Sequence, residues 1–213
     1  MFAFDAYFFD FDGTIGDTAP DIRGSWLNAI KKLGLPENDF EKLFRIGPSI
    51  QDTAKILYPD NPEVWEELQN AYKYFYDINN DFSHTTPYPG IIEKITGLHN
   101  AGKKVYIVTN KRMLPLRKLI SIFKLKDLCS GFFVPDIFDP RNHFNKKELA
   151  LLALNISGVL PDRALMVGDT ELDIAAGKYA AIKTCAVTWG YGESSAIHRE
   201  SPDFTINNIA DLP

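Results

Sequence analysis

Two carboxylates, Asp10 and Asp12, stand two residues apart near the start of the chain, directly after the apolar run 6–9 and directly before Gly13 and Thr14. The run reads as a short buried strand. Side chains two apart on an extended chain point the same way, so Asp10 and Asp12 converge on one small volume if the extension persists through Phe11. Close anions repel, and such a pair calls for a cation or a shared proton. Gly13 lets the backbone turn sharply away, although Asp-Gly is also an ordinary turn dipeptide. Two further apolar runs stop at polar groups: 105–108 at Thr109 and Asn110, and 164–167 at Gly168 and Asp169, with Asp173 four residues on. A lysine, Lys146 or Lys147, opens the helical stretch before the Asp169 run. Several carboxylates at a strand-end crevice suit an oxygen-loving cation such as magnesium. A hydroxyl, an ammonium and loop amides suit phosphate oxygens.

These groups share one site only if the strands carrying them are parallel. From residue 87 onward, strand and helix alternate. The pattern predicts helices over 91–100, 116–123, 146–155 and 172–180, strands over 105–108, 132–134, 164–167 and 184–187, and a last short strand near Phe204. Helices between buried strands argue for a parallel sheet covered on both faces. In such sheets ligands bind beyond the carboxyl ends of the strands. The stretch between the first motif and residue 87 is different. Ile22, Trp26, Ala29, Ile30 and Leu33 form a helical stripe, 40–44 and 50–57 are shorter helical pieces, and 63–82 reads as one long helix. The expected fold class is therefore α/β: a Rossmann-like parallel sheet core from residues 1–16 and 88–213, with an inserted α-helical cap over 17–87.

Composition narrows the partners. The 213 residues are 45% hydrophobic and 24% charged, with a net charge of -5, which is ordinary for a soluble globular protein. That field favours neither nucleic acid nor an anionic membrane, so any phosphate site must be made attractive locally. Cys129 and Cys185 have no metal-ligand spacing and read as two reduced thiols. The N-terminus is interrupted by Asp5, Asp10 and Asp12 and makes a poor signal peptide. No apolar run approaches the roughly 20 residues of a membrane span, and a cytoplasmic location is the expectation.

The sequence resembles the haloacid dehalogenase-like hydrolase superfamily, in its phosphoglycolate phosphatase-like branch, over nearly the whole chain. The resemblance rests on Asp10-Phe11-Asp12-Gly13-Thr14, on Ile107-Val108-Thr109-Asn110-Lys111 and on Val167-Gly168-Asp169-Thr170-Glu171-Leu172-Asp173, in order and each on a strand end. The insertion after the first motif matches that branch's helical cap. Related members carry a lysine two residues before an acid at the start of a helix, a register that favours Lys146 over Lys147 in Asn145-Lys146-Lys147-Glu148.

The resemblance implies a magnesium-dependent phosphatase that hydrolyses a small phosphate monoester through an aspartyl-phosphate. Asp10 attacks phosphorus, and Asp12 protonates the leaving alcohol and then deprotonates water. Thr109, Asn110 and Lys146 hold the phosphoryl group. Asp169 anchors magnesium with Asp10 and the Asp12 carbonyl, and Asp173 supports the ion directly or through water. Arg45, before Gly47-Pro48, is the expected cap contact to substrate, in a cap segment that carries seven basic residues, Arg45 among them, against twelve acids. Alternatives are a sugar-phosphate mutase with the same motifs and a non-catalytic regulatory binding protein on this fold. The expected partner is a small phosphorylated metabolite, with no nucleic acid and no membrane; monomer and homodimer both stay open. Asp17 is read as a helix cap, and the aromatics Trp65, Tyr72, Tyr74, Phe75 and Tyr76 as cap core.

Overall fold

The computed structural model describes residues 2–37, 39–139, 141 and 143–213. Strand β1 (Ala6–Phe9) leads through a tight turn to the two-residue β2 (Gly16–Asp17). Four helices follow: α1 (Ala19–Lys32), α2 (Phe40–Leu43), α3 (Ile50–Leu57) and α4 (Trp65–Lys73). After β3 (Thr86–Pro87) strands and helices alternate: α5 (Ile91–Asn100), β4 (Lys104–Val108), α6 (Met113–Ile122), β5 (Gly131–Phe133), α7 (Lys146–Ser157), β6 (Ala164–Gly168), α8 (Glu171–Tyr179), β7 (Lys183–Val187), α9 (Ser194–Arg199) and β8 (Phe204–Ile206). The chain divides into two compact units, 1–17 with 86–213 and 18–85.

The first unit is built on a six-stranded sheet in the order β5-β4-β1-β6-β7-β8, parallel at every pairing. The α/β class and Rossmann-like sheet expected from the alternation are present. The order runs outward from β1 in one direction through β4 and β5, then in the other through β6, β7 and β8. The reversal falls between β1 and β6, and at such a switch point the crevice opens beyond the strand ends. Strand residues alternate between the two faces. Ala6, Phe8, Tyr106, Val108, Ala164 and Met166 pack with Leu149, Ala150, Ala153 and Ala176 of α7 and α8. Tyr7, Phe9, Val105, Ile107, Leu165 and Val167 are as deeply buried on the other side. Both faces are covered, so the strands read as nearly continuous apolar runs.

Capping sets where the flanking helices begin. Asn145 and Glu148 form a reciprocal capping box at the start of α7 (Asn145 Oδ1 to Glu148 N 3.1 Å, Asn145 N to Glu148 Oε2 2.8 Å), and Gly158 ends that helix with φ 65°. Residues 86–87 pair antiparallel with 16–17, so the chain's exit to and return from the second unit are tied together.

The second unit is helical. Trp26 of α1 stacks on Tyr72 of α4 with centroids 4.1 Å apart, and Tyr72 stacks on Tyr76 at 5.3 Å. Tyr72 and Tyr76 are thus core, while Tyr74 is exposed. The expected single helix over 63–82 is a 3-10 turn (Pro62–Val64), α4, and a π-helical stretch (Tyr74–Ile78). Beyond it, Phe82 is left-handed (φ 58°) and donates its N–H to the Asn80 side chain at 2.7 Å, so no helix runs on to residue 82. Among the described residues no helix is long and apolar enough to cross a membrane, and Cys129 and Cys185 are not in a disulfide.

Candidate active site

Strand β1 ends at Phe9, but the ladder continues one residue further: the Asp10 N–H donates to the Val167 carbonyl at 2.9 Å. Asp10 therefore stands rigidly at the carboxyl end of the central strand, beside β6. Then the chain folds back on itself. The Phe11 carbonyl accepts from Ile15 N at 2.9 Å and from Gly16 N at 3.0 Å, and the buried Phe11 ring stacks on Phe123. The chain bends at Phe11, and Asp12 lies in an isolated bridge to Gly16. Asp10 and Asp12 each have their own lysine.

Lys146, the first residue of α7, reaches into the crevice with Nζ 2.9 Å from Asp10 Oδ2 and 2.7 Å from Asp173 Oδ1. Lys147, next in line on the helix, is exposed, as the roughly 100° between helical neighbours requires. Asp12 is paired with Lys111, whose Nζ lies 2.9 Å from Asp12 Oδ1 and whose side chain is only 2% exposed. Nothing in the sequence singles out Lys111, since a lysine after a Thr-Asn strand end carries no local signal of burial. Thr109 sits at the end of β4, buried, and its hydroxyl oxygen accepts the Lys111 N–H at 3.2 Å. That bond occupies a lone pair and leaves the hydroxyl proton to donate. Asn110 follows, half-buried.

Asp169 follows β6 and is 1% exposed. Its Oδ1 accepts from the Thr14 hydroxyl at 3.0 Å and its Oδ2 from Tyr191 N at 2.8 Å. Asp173 accepts Thr170 N at 2.9 Å and the Thr170 hydroxyl at 2.7 Å on Oδ2, closing a capping box on α8. The backbone crowds these carboxylates. A Cβ on Gly13 (φ 79°) would lie 2.1 Å from Asp169 Oδ2, and one on Gly190 would lie 2.3 Å from Asp169 Cβ. The loop 189–192 is not recognisable as part of the site from the sequence. Its only local signal is a pair of glycines around Tyr191 just after a strand. Asp17, read as a cap, instead accepts the Tyr191 hydroxyl at 2.8 Å, and the N-cap position of α1 belongs to Thr18. Arg45 lies in the helical unit, exposed, with its guanidinium donating to the Phe44 carbonyl at 2.8 Å.

Ligand oxygens of Asp10, Asp169 and Asp173 lie within 4.8 Å of one another. The Asp10 Oδ1 atom is buried with no hydrogen-bond partner among the described residues. Four carboxylates (Asp10, Asp12, Asp169, Asp173) meet two ammonium groups (Lys111, Lys146), a surplus of two negative charges. Burial and the neighbouring Asp173 and Asp12 charges push Asp10 up to about 7 against the pull of Lys146. Burial, Asp173 and Asp10 push Asp169 up to about 8. For Lys146 burial acts downward, but Asp10 and Asp173 outweigh it and hold the ammonium above its ordinary range. An all-oxygen donor set, an orphaned carboxylate oxygen and a twofold charge surplus fit a hard divalent cation such as magnesium.

The haloacid dehalogenase-like hydrolase family model matches residues 7–187. The chain is 33% identical over 209 residues to a phosphoglycolate phosphatase of Aquifex aeolicus, covering 96% of this chain and 92% of that one. It is 32% identical over 206 residues to a pyrophosphatase of Bacillus cereus, again covering 96% and 92%. A solved haloacid dehalogenase-like family hydrolase from Streptococcus pneumoniae superposes with a TM-score of 0.77 at 21% identity, covering 97% of this chain and 95% of that one.

Proposed function

For a chain that belongs to the haloacid dehalogenase-like hydrolase family and is a phosphatase within it, we propose hydrolysis of a small phosphate monoester through a covalent phosphate on Asp10. The observation that carries this reading is the buried trio Asp10, Asp169 and Asp173 at the switch point, with one Asp10 oxygen held by Lys146 and the other without a hydrogen bond among the described residues. Asp10 and Asp169, with the Asp12 carbonyl, would hold a magnesium ion, and Asp173 would back them by fixing Lys146. The bound ion would screen the substrate's negative charge from the nucleophile.

In the first step an Asp10 oxygen bonds to phosphorus, the bond from phosphorus to the leaving oxygen breaks, and the Asp12 carboxyl gives that oxygen its proton. In the second, water attacks phosphorus, Asp12 takes a proton from it, and the bond to Asp10 breaks to release inorganic phosphate. The Thr109 hydroxyl and the Lys146 ammonium hold the phosphoryl oxygens as charge builds on them. Asn110 lines the same strand end. Arg45 is the proposed contact for a second anionic group on the substrate.

The similarity to a pyrophosphatase favours a second reading of the substrate, in which the leaving group is phosphate itself. It uses the same residues but asks less of Asp12, because phosphate leaves more readily than an alkoxide. A phosphate-release screen with magnesium, over phosphoglycolate, other small monoesters and pyrophosphate, separates the two. Release of free phosphate rather than an isomerised sugar phosphate is expected. No turnover across that panel would leave the regulatory alternative standing.

A further inference from the structure

We propose that Lys111 is the positioning residue for the acid–base group Asp12. This rests on the reading of Asp12 as the group that moves protons in both steps.

An ammonium withdrawn from water is costly unless a counter-charge meets it. The Lys111 side chain is 2% exposed, with Asp12 Oδ1 2.9 Å from Nζ. The lysine reaches that place from the end of β4, one strand away from the β1 turn that carries Asp12. Its main chain is anchored where it departs: Lys111 N donates to the Thr109 hydroxyl at 3.2 Å, and its ammonium lies 5.9 Å from the Phe11 ring centroid. One residue thus spans the phosphate-binding hydroxyl, the turn and the acid–base carboxylate. Asp12 itself is on a turn rather than a strand, and a turn alone does not fix a side chain to the tolerance that proton transfer needs. The bond to Oδ1 fixes rotation of the carboxyl group. Lys146 does not serve Asp12: its nitrogen lies against Asp10 and Asp173.

The test separates the two chemical steps. In Lys111→Met the buried stem keeps its apolar packing while the ammonium is lost; Lys111→Gln serves as the second variant, keeping a donor without the charge. With p-nitrophenyl phosphate the leaving group departs without a proton, so phosphorylation of Asp10 does not depend on Asp12. Breakdown of the phosphoenzyme still needs the base. Rapid mixing with magnesium is therefore expected to give a burst of p-nitrophenolate matching the enzyme concentration. A steady rate reduced about tenfold or more should follow, with phosphate trapped covalently on Asp10. An alkyl phosphate should show the same loss with no burst, and Lys111→Gln should fall between Lys111→Met and the unaltered protein.

Steady turnover within about twofold of the unaltered protein would overturn the assignment. So would loss of burst and steady rate together, which is the mark of a residue needed to bind substrate or to keep the fold. Asp12→Asn, run in parallel, tests the premise. A burst followed by a stall supports the acid–base reading, and normal turnover would remove that reading and with it the role of Lys111.

Discussion

At the scale of single residues, the site is a problem of buried charge, and Lys146 is where the balance is struck. Its ammonium stands between Asp10 and Asp173, whose side chains are 4% and 0% exposed. Removing one partner of a buried pair leaves the others uncompensated and typically costs about 3–5 kcal/mol. Lys146→Met should therefore destabilise the protein by about 3 kcal/mol in chelator, read from the urea midpoint, and abolish turnover. Lys147→Met, at an exposed position one residue along, should do neither. An unchanged midpoint for Lys146→Met would show that the ammonium does not neutralise the pair. Asp10→Asn works in the opposite sense. It removes one like charge from a crowded set, so the fold should hold while turnover disappears; a rate near that of the unaltered protein would end the aspartyl-phosphate reading.

At the scale of elements, what mattered was whether a contact is local. The strands that carry Asp10, Thr109 and Asp169 are apolar runs ending in polar groups, and that pattern is written into consecutive residues. Helix geometry says that Lys146 and Lys147 cannot both face the crevice, and the resemblance to family members with a lysine two residues before an acid favours Lys146. Lys111 and the loop 189–192 were not legible, since their roles depend on residues far along the chain. Tyr191 N reaches Asp169 across 22 positions and the Tyr191 hydroxyl reaches Asp17 across 174. The two-residue strands β2 and β3 are too short to show a period. The loop makes its own prediction. A methyl group at Gly190 would fall 2.3 Å from both Cβ and Oδ2 of Asp169, so Gly190→Ala must displace that carboxylate. A misplacement of about 1 Å at a reacting site costs on the order of a hundredfold in rate. Gly190→Ala should lose about that much kcat and most of its magnesium-dependent stabilisation. Gly24→Ala, with nothing within 4 Å of the new methyl in the middle of α1, should keep full activity and gain about 0.5–1 kcal/mol of stability. Equal behaviour of the two variants would sink the close-approach argument. The helical unit carries one prediction of its own: Arg45→Ala should reduce turnover of a phospho-carboxylate more than that of a neutral aryl phosphate, since a charge-assisted contact serves only a substrate with a second anion. Equal losses on both would reject the assignment.

At the scale of the whole molecule, these charges set how stability depends on pH and on the metal. Asp10 and Asp169 are pushed up to about 7 and about 8 by burial among like charges, against about 3.9 for an unfolded aspartate. Groups with raised acid pKa values hold their protons more tightly when folded. Their contribution is fully present below the unfolded value and is lost as pH rises through the folded ones. In chelator, stability should therefore fall between about pH 4 and about pH 8. Asp5 acts in the other direction at the acid end. Hydrogen bonds from Arg163 and Lys103 hold it below the ordinary carboxylate range, so its contribution is present above the unfolded value and lost as pH falls through its own. Magnesium needs the deprotonated carboxylates and so competes with the same protons. Its stabilisation should be small near the acid limit of that window and should grow toward the alkaline one. At about a hundred times its Kd, a ligand specific for the folded state adds about 2.7 kcal/mol. For a chain of this length that is on the order of 5–11 °C in Tm. Thermal melts with and without magnesium at both pH values provide the measurement, with Asp169→Asn expected to remove most of the pH-dependent part. A magnesium shift of the same size at both pH values, or a chelated protein more stable at the alkaline value, would mean that the buried carboxylates are not the groups that take up the ion.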